Sequence, residues 1–158
     1  MNINKQAGFT LLELMVVVTI MLLLLSGGLA VYIQLNNRQL LVDSANQLQL
    51  LMRTAQKEAR VESKPAGCTR LLSYAVQVPV GQLASANLVA ECQNTNYIVQ
   101  TIPFDSGVTS QNSFALHFYV LQGEVKGAGT FVLQRSTKTA TITVNQGGEI
   151  SGVVIGGT

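Results

Sequence analysis

The residues with the clearest potential for chemistry lie near the start of the chain. Ala7 and Gly8 are a pair of small residues directly before a long apolar stretch, and Glu13 places one carboxylate within that stretch. An ordinary secretory signal peptide is cut after its apolar region. Cleavage after Gly8 would instead remove only the polar residues 1–8 and leave Phe9 with a free amine.

Glu13 needs a partner or water, because a carboxylate deep in hydrocarbon costs on the order of 2–3 kcal/mol. One interpretation places its side chain at a hydrated membrane interface. The other pairs it with the amine that cleavage would create at Phe9 of a neighbouring chain. Since Phe9 and Glu13 are one helical turn apart, two such groups from adjacent copies would neutralise each other in a bundle of apolar helices. The second interpretation predicts that Glu13 acts in assembly.

The segment that carries Glu13 has the length of a membrane-spanning helix. Residues 14–33 are twenty residues without a charge. As a helix they would span roughly 30 Å, which is the thickness of a bilayer core. A helix on the surface of a soluble domain would show a polar face, and this segment has none. Residues 9–33 are therefore predicted to cross the membrane, with Lys5 on the cytoplasmic side.

The helix is predicted to continue through residues 34–63, which contain no glycine or proline before the breaker sequence at 64–67. Apolar residues recur there in steps of three and four, as one face of a helix requires. That face consists of Leu41, Ala45, Leu48, Met52, Ala55 and Ala59, widened by Leu40 and Leu51. We expect it to dock on a globular domain, with a partner-binding helix as the alternative.

Residues 64–158 are predicted to form one β domain, because the apolar period changes there from 3.6 to 2. Alternation predicts six to eight antiparallel strands, with turns at 94–96 and 146–149 and a loop at 123–129. The strand residues lie at 74–80, 87–92, 96–102, 114–120, 131–133, 139–144 and 150–155. The predicted fold class is α+β, a long N-terminal helix packed on a C-terminal antiparallel sheet.

Cys68 and Cys92 are the only cysteines. Two thiols in an exported domain favour a disulfide, and two separate buried thiols are the alternative. Their spacing does not suit a metal site, and the single histidine, His117, is expected to be a surface or cross-strand residue. The sequence shows no recognisable combination of a nucleophile, a base and a residue that orients the base. We therefore expect no enzymatic activity, cofactor or metal.

Composition sets further limits on the function. The chain has 158 residues, 47% of them hydrophobic and 11% charged, with a formal net charge of +2. About 120 residues remain outside the membrane segment, which suffices for one compact domain. A net charge this small does not indicate a surface that binds nucleic acid.

The stretch Gly8-Phe9-Thr10-Leu11-Leu12-Glu13, preceded by Lys5 and followed by the apolar run, resembles the N-terminal motif of type IV prepilins and type II secretion pseudopilins. The resemblance implies that prepilin peptidase cuts after Gly8, that Phe9 is N-methylated and that Glu13 acts in filament assembly. It implies other pilin or pseudopilin subunits and the inner-membrane assembly machinery as partners, and membrane lipid before assembly. The implied location is the inner membrane, single-pass with the C-terminal domain outside the cytoplasm, and then the pilus or pseudopilus.

Within that family, the rest of the chain is similar to minor, H-like pseudopilins and to FimT-like minor pilins. This similarity rests on residues 48–59 and on the strand and turn at 141–150. It implies a structural subunit of a pilus or a secretion pseudopilus. FimT-like pilins that bind DNA carry a basic C-terminal tail, whereas residues 155–158 contain no base, so nucleic acid is not an expected partner.

Two other functions remain open. A signal-anchored binding protein or enzyme outside the cytoplasm would need neither cleavage at Gly8 nor Glu13. A minor pilin that binds DNA or an adhesion ligand is the other alternative. The N-terminus of the mature chain tests the first, and salt-dependent DNA binding tests the second.

Overall fold

The structure is a computed structural model that describes residues 10–79, 85–120 and 124–157, apart from the side chains of residues 25–30. The predicted leader at 1–8, with the cleavage residue Gly8, and Phe9 lie outside this part. The chain divides into two compact units, Met1–Asn36 and Asn37–Thr158.

Helix α1 begins at Leu11 and ends at Arg60. It continues through the paired glycines at 27 and 28, whose presence in the apolar segment does not end the helix. The predicted stripe within the second unit is confirmed, because Leu41, Ala45, Leu48, Met52 and Ala55 are fully buried. The charged residues between them are largely exposed, as the helical period requires.

The helix ends in a left-handed turn, slightly before the predicted breaker sequence at 64–67. Glu62 has a φ of 51°, and the Ser63 N–H donates a hydrogen bond to the Glu58 carbonyl at 3.2 Å. This bond spans the turn and satisfies one of the carbonyls that a helix end leaves open. The position usually holds glycine, because a side chain is strained at positive φ.

The C-terminal domain contains nine strands among the described residues, all paired antiparallel. They are β1 (Leu71–Val78), β2 (Ser85–Cys92), β3 (Asn96–Pro103), β4 (Thr109–Ser110), β5 (Phe114–Tyr119), β6 (Val125–Lys126), β7 (Gly129–Arg135), β8 (Lys138–Val144) and β9 (Val154–Gly156). The strand order is β3-β2-β1-β5-β6 in one sheet and β4-β7-β8-β9 in the other. The α+β class with a long helix and an antiparallel β domain is therefore confirmed.

Three details of the prediction were wrong. The described residues form nine strands in two sheets, whereas we expected six to eight strands in one sheet. The predicted loop at 123–129 contains β6. The predicted return strand at 150–155 is reduced to β9 and an isolated bridge between Val144 and Ile150. Strands of two or three residues are too short to show an alternating pattern, which explains these errors.

One hydrophobic core joins the helix stripe to the inner faces of both sheets. Val76, Leu116 and Ile142, from three different strands, are each at most 1% exposed and belong to the same cluster as Met52. The rings of Phe114 and Phe131 lie 4.2 Å apart between centroids and link β5 to β7 across the two sheets. The amphipathic half of α1 is thus held within the β domain by apolar burial.

Candidate functional site

Thr10 and Glu13 form the start of helix α1. The Glu13 backbone N–H donates to the Thr10 hydroxyl oxygen at 3.3 Å, and the Leu14 N–H donates to the Thr10 carbonyl at 3.2 Å. Thr10 is therefore the N-cap residue, and Glu13 is the third residue of the helix. A glutamate there faces the positive end of the helix dipole. Threonine followed three residues later by glutamate is a capping signature that the sequence analysis missed.

The Glu13 side chain itself is exposed, and among the described residues its carboxylate makes no ion pair. The backbone of Glu13 contributes to the start of the helix, while its carboxylate is available for a contact with another molecule. The predicted partner of this charge is the amine of Phe9 in a neighbouring chain. Phe9 lies outside the described residues.

The helix surface beyond Glu13 is apolar and uncovered. Every large apolar side chain between residues 11 and 24 is exposed, from 44% at Val17 to 79% at Leu11. The hydroxyl of Thr19 donates to the Met15 carbonyl at 2.7 Å, so this polar group is satisfied within the helix. Soluble monomers rarely show so large a contiguous apolar surface. Such a surface suits contact with lipid or with other apolar helices.

Cys68 and Cys92 form a disulfide with their Cα atoms 5.8 Å apart, so of the two alternatives the bridge is the one present. Cys68 lies in the connector between α1 and β1, and Cys92 ends β2. Tyr74 holds the same connector, because its hydroxyl donates to the Ser63 carbonyl at 2.6 Å. Burial raises the pKa of Tyr74, hydrogen bonding by the Ser63 side chain lowers it, and the charge of Glu58 raises it.

His117 is a cross-strand residue, as expected. Its Nδ1 lies 2.9 Å from Glu91 Oε2, and the hydroxyl of Ser73 donates to the same carboxylate oxygen. Three strands, β2, β1 and β5, bring these side chains together. No sequence motif reveals this network, because its bonded pairs lie 18 and 26 residues apart.

This network does not have the geometry of an activated nucleophile. In a serine nucleophile, the hydroxyl donates to a base that can take its proton. Ser73 donates to the Glu91 carboxylate, but Ser73 is fully buried, so a substrate cannot reach its hydroxyl, and His117 contacts the carboxylate instead of the hydroxyl. The His117 and Glu91 side chains are each 21% exposed, so their contact is partly screened by water. The arrangement fits a structural role in joining three strands.

A second interaction that the sequence did not reveal joins α1 to the loop before β4. Ser44, 1% exposed, donates from its hydroxyl to the Asp105 carboxylate at 3.1 Å and accepts from the Asp105 N–H at 3.2 Å. The apolar stripe includes this one polar residue because the loop supplies both partners. Asp105 therefore acts as a structural residue that holds the loop on the helix.

Within the described part of the chain, no helix combines the length and the hydropathy that crossing a bilayer requires. The predicted membrane segment at 9–33 includes Phe9 and the side chains of residues 25–30, which lie outside that part.

Residues 3–29 match the family model of the prokaryotic N-terminal methylation motif. The matched stretch contains Gly8, Phe9 and Glu13 together with the first part of the apolar segment. No curated protein and no solved structure matches the chain. The methylation motif supports a precursor of the type IV pilin and pseudopilin kind, from a family of structural proteins that prepilin peptidase processes.

Proposed function

We propose that the chain is a structural, minor subunit of a type IV pilus or a type II secretion pseudopilus. The observation that carries the proposal is the methylation motif at residues 3–29, which contains the exposed apolar surface of α1 at residues 11–24. In the proposed life cycle, residues 9–33 lie in the inner membrane with the β domain outside the cytoplasm. Prepilin peptidase cuts after Gly8, Phe9 is methylated, and the assembly machinery moves the subunit into a filament.

The exposed apolar surface between residues 11 and 24 supports both stages of this cycle. Lipid covers it before assembly, and the helices of other subunits cover it in the filament core. Transfer between two apolar surroundings costs little for these side chains, because hydrocarbon is as apolar as a leucine-rich bundle. The charge of Glu13 is different, because it must find a cation when the helix leaves lipid and headgroup water.

The Phe9 amine of an adjacent subunit is the proposed cation for Glu13. Opposite unit charges about 4 Å apart attract by about 4 kcal/mol at an effective dielectric constant of 20. That attraction corresponds to a factor of about 10³ in an equilibrium constant. A pair of this strength would favour the one axial register in which both charges meet.

The mature N-terminus tests the processing step. We expect mass spectrometry of the protein from its native host to show a chain that begins at Phe9 and carries one methyl group on its amine. A mature chain that still begins at Met1 would overturn the proposed family function.

Substitutions at Glu13 test the assembly step. Glu13→Ala removes both the charge and the polar side chain at the capping position, whereas Glu13→Gln removes the charge and keeps a side chain that suits a capping box. We expect both variants to be cleaved normally and to be lost from filaments or assembled out of register. The exposed Glu124→Gln is the matched control and should assemble normally. If the glutamine variant at 13 also assembles normally, the charge-pairing role is wrong and capping explains the alanine defect.

A further inference from the structure

One of the four sheet edges differs from the others. The edge strands β4 and β6 have two residues each and β9 has three, whereas β3 has eight. Natural proteins shorten or charge their edge strands so that other chains do not pair with them. β3, with the sequence NYIVQTIP, has neither protection, because it contains no charged residue. No other described strand pairs with its outer side, so the backbone groups there can pair with a strand of another chain.

Several side chains of β3 are exposed to solvent. Ile98 is 67% exposed and Val99 is 48% exposed. Val99 is the extra residue of a bulge, because Leu88 pairs with Gln100 while Val89 pairs with Ile98. A bulge protects an edge only where it lies, and residues 100–103 continue in regular register with β2. This leaves a regular, uncharged stretch for pairing.

A groove runs between β3 and helix α1. One part, of about 240 Å³, has no charged lining residue, and the 66% exposed Leu50 stands at its rim; the lining is Gln47, Leu50, Leu51, Thr54, Gln100 and Ile102. A second part, of about 290 Å³, shares Thr54 and Gln100 with the first and reaches Val99, but its lining includes the charged residues Glu58 and Lys64. The first part lies beside Gln100 and Ile102 of the free edge and has room for side chains of an added strand.

We propose that the β3 edge and this groove bind strand β9 of a second copy of the chain. A charged segment would lose hydration in the uncharged first part of the groove without gaining a partner there, so an uncharged segment is preferred beside residues 100–102. Residues 150–157 contain no charge, and Val154 in β9 is 64% exposed at the edge of its own sheet. The two neutral edges match each other in polarity, and strand addition joins the five-stranded sheet of one copy to the four-stranded sheet of the next.

The contact is heterologous, because β3 and β9 are different surfaces. A heterologous contact leaves one β3 edge and one β9 edge free, so it extends an array instead of closing a symmetric dimer. In this respect the inference rests on the proposed function, since a filament subunit needs such a contact. Because β9 has only three residues, the pairing is weak by itself and depends on the helix bundle to bring the domains together.

Cysteine cross-linking of the full chain in its native host tests the contact. Both native cysteines are bridged, so one introduced cysteine is the only free thiol of each variant. Cells would express Ile98→Cys or Thr101→Cys together with Val154→Cys and be treated with a short bismaleimide. We expect a linked dimer when variants of both strands are present and none from any variant alone. A dimer from one variant alone, or no dimer from either combination, would overturn the inference.

A charge in the groove provides the second measurement. Leu50→Lys, added to the Thr101→Cys chain, should lower the yield of linked dimer at least tenfold, because it places a cation at the rim of the uncharged part of the groove. Val61→Lys, at a 61% exposed position outside the sheets, is the matched control and should leave the yield unchanged. An equal loss in both, or no loss in either, would contradict the proposed surface.

Filament content separates this inference from the proposed function. Filaments that contain the chain but give no linked dimer would refute the β3–β9 contact and leave the function in place. A linked dimer in cells whose filaments lack the chain would support the contact and refute the function.

Discussion

Replacing Cys68 and Cys92 with alanine removes the bond between the α1–β1 connector and the end of β2. Alanine is preferable to serine, because Cys92 is only 7% exposed and a hydroxyl would need a partner among apolar neighbours. The native pair closes a loop with a sequence separation of 24. In the chain-entropy model, a loop of about this length stabilises the folded state by about 3 kcal/mol.

That amount is large beside the stability of an ordinary domain, which is about 5–15 kcal/mol. We therefore expect the double variant to fold and to keep its filament role only under mild conditions. Urea unfolding of the full chain in detergent micelles can be followed by tyrosine fluorescence, since the chain has four tyrosines and no tryptophan. The midpoint should fall by an amount equivalent to about 3 kcal/mol, and the slope should become steeper, because the unfolded chain is less compact without the bond.

Reductant supplies the control for this experiment. It should lower the midpoint of the native chain to that of the double variant and leave the double variant unaffected. A loss of less than about 1 kcal/mol in both comparisons would refute the loop-entropy argument, because then the reduced chain would have to stay constrained without the bond.

Two further predictions concern the same connector. Tyr74→Phe should cost about 1 kcal/mol at neutral pH by removing the bond to Ser63. Since burial raises the pKa of Tyr74, the unfolded phenol ionises first, and the stability of the native chain should fall more steeply above pH ~10 than that of the variant. Glu62→Gly should raise the free energy of unfolding by about 1 kcal/mol, and with it the midpoint, because glycine adopts the φ of 51° at this position without strain. Parallel pH curves, or a midpoint that glycine does not raise, would contradict these two arguments.

Regular periodicity explains which parts of the fold were predictable. The stripe from Leu41 to Ala59 repeats one helical period over several turns, and the structure buries it as expected. The alternating apolar residues of β1, β5 and β8 likewise face the core at Val76, Leu116 and Ile142. In the helix, β5 and β8 the side opposite the core is more exposed, so the pattern is present in the sequence itself, whereas β1 is buried on both faces.

The arrangement of the strands was not predictable in the same way. A strand of two residues, such as β4 or β6, has no period, and the division into two sheets depends on pairing between distant segments. The Ser44–Asp105 contact joins residues 61 positions apart, and neither residue belongs to a motif. Such contacts follow from the packing of the whole domain, which no local pattern records.

The N-terminal chemistry is a local property of consecutive residues. Gly8, Phe9 and Glu13 lie within six positions, and their meaning depends on order and on the apolar run that follows, so a single stretch of sequence predicted the processing site and the assembly charge. The β domain is the opposite case. β3 is recognisable as an exposed strand only after β2 has paired with one side of it and left the other free, because an edge is defined by neighbours that are absent from the strand's own sequence.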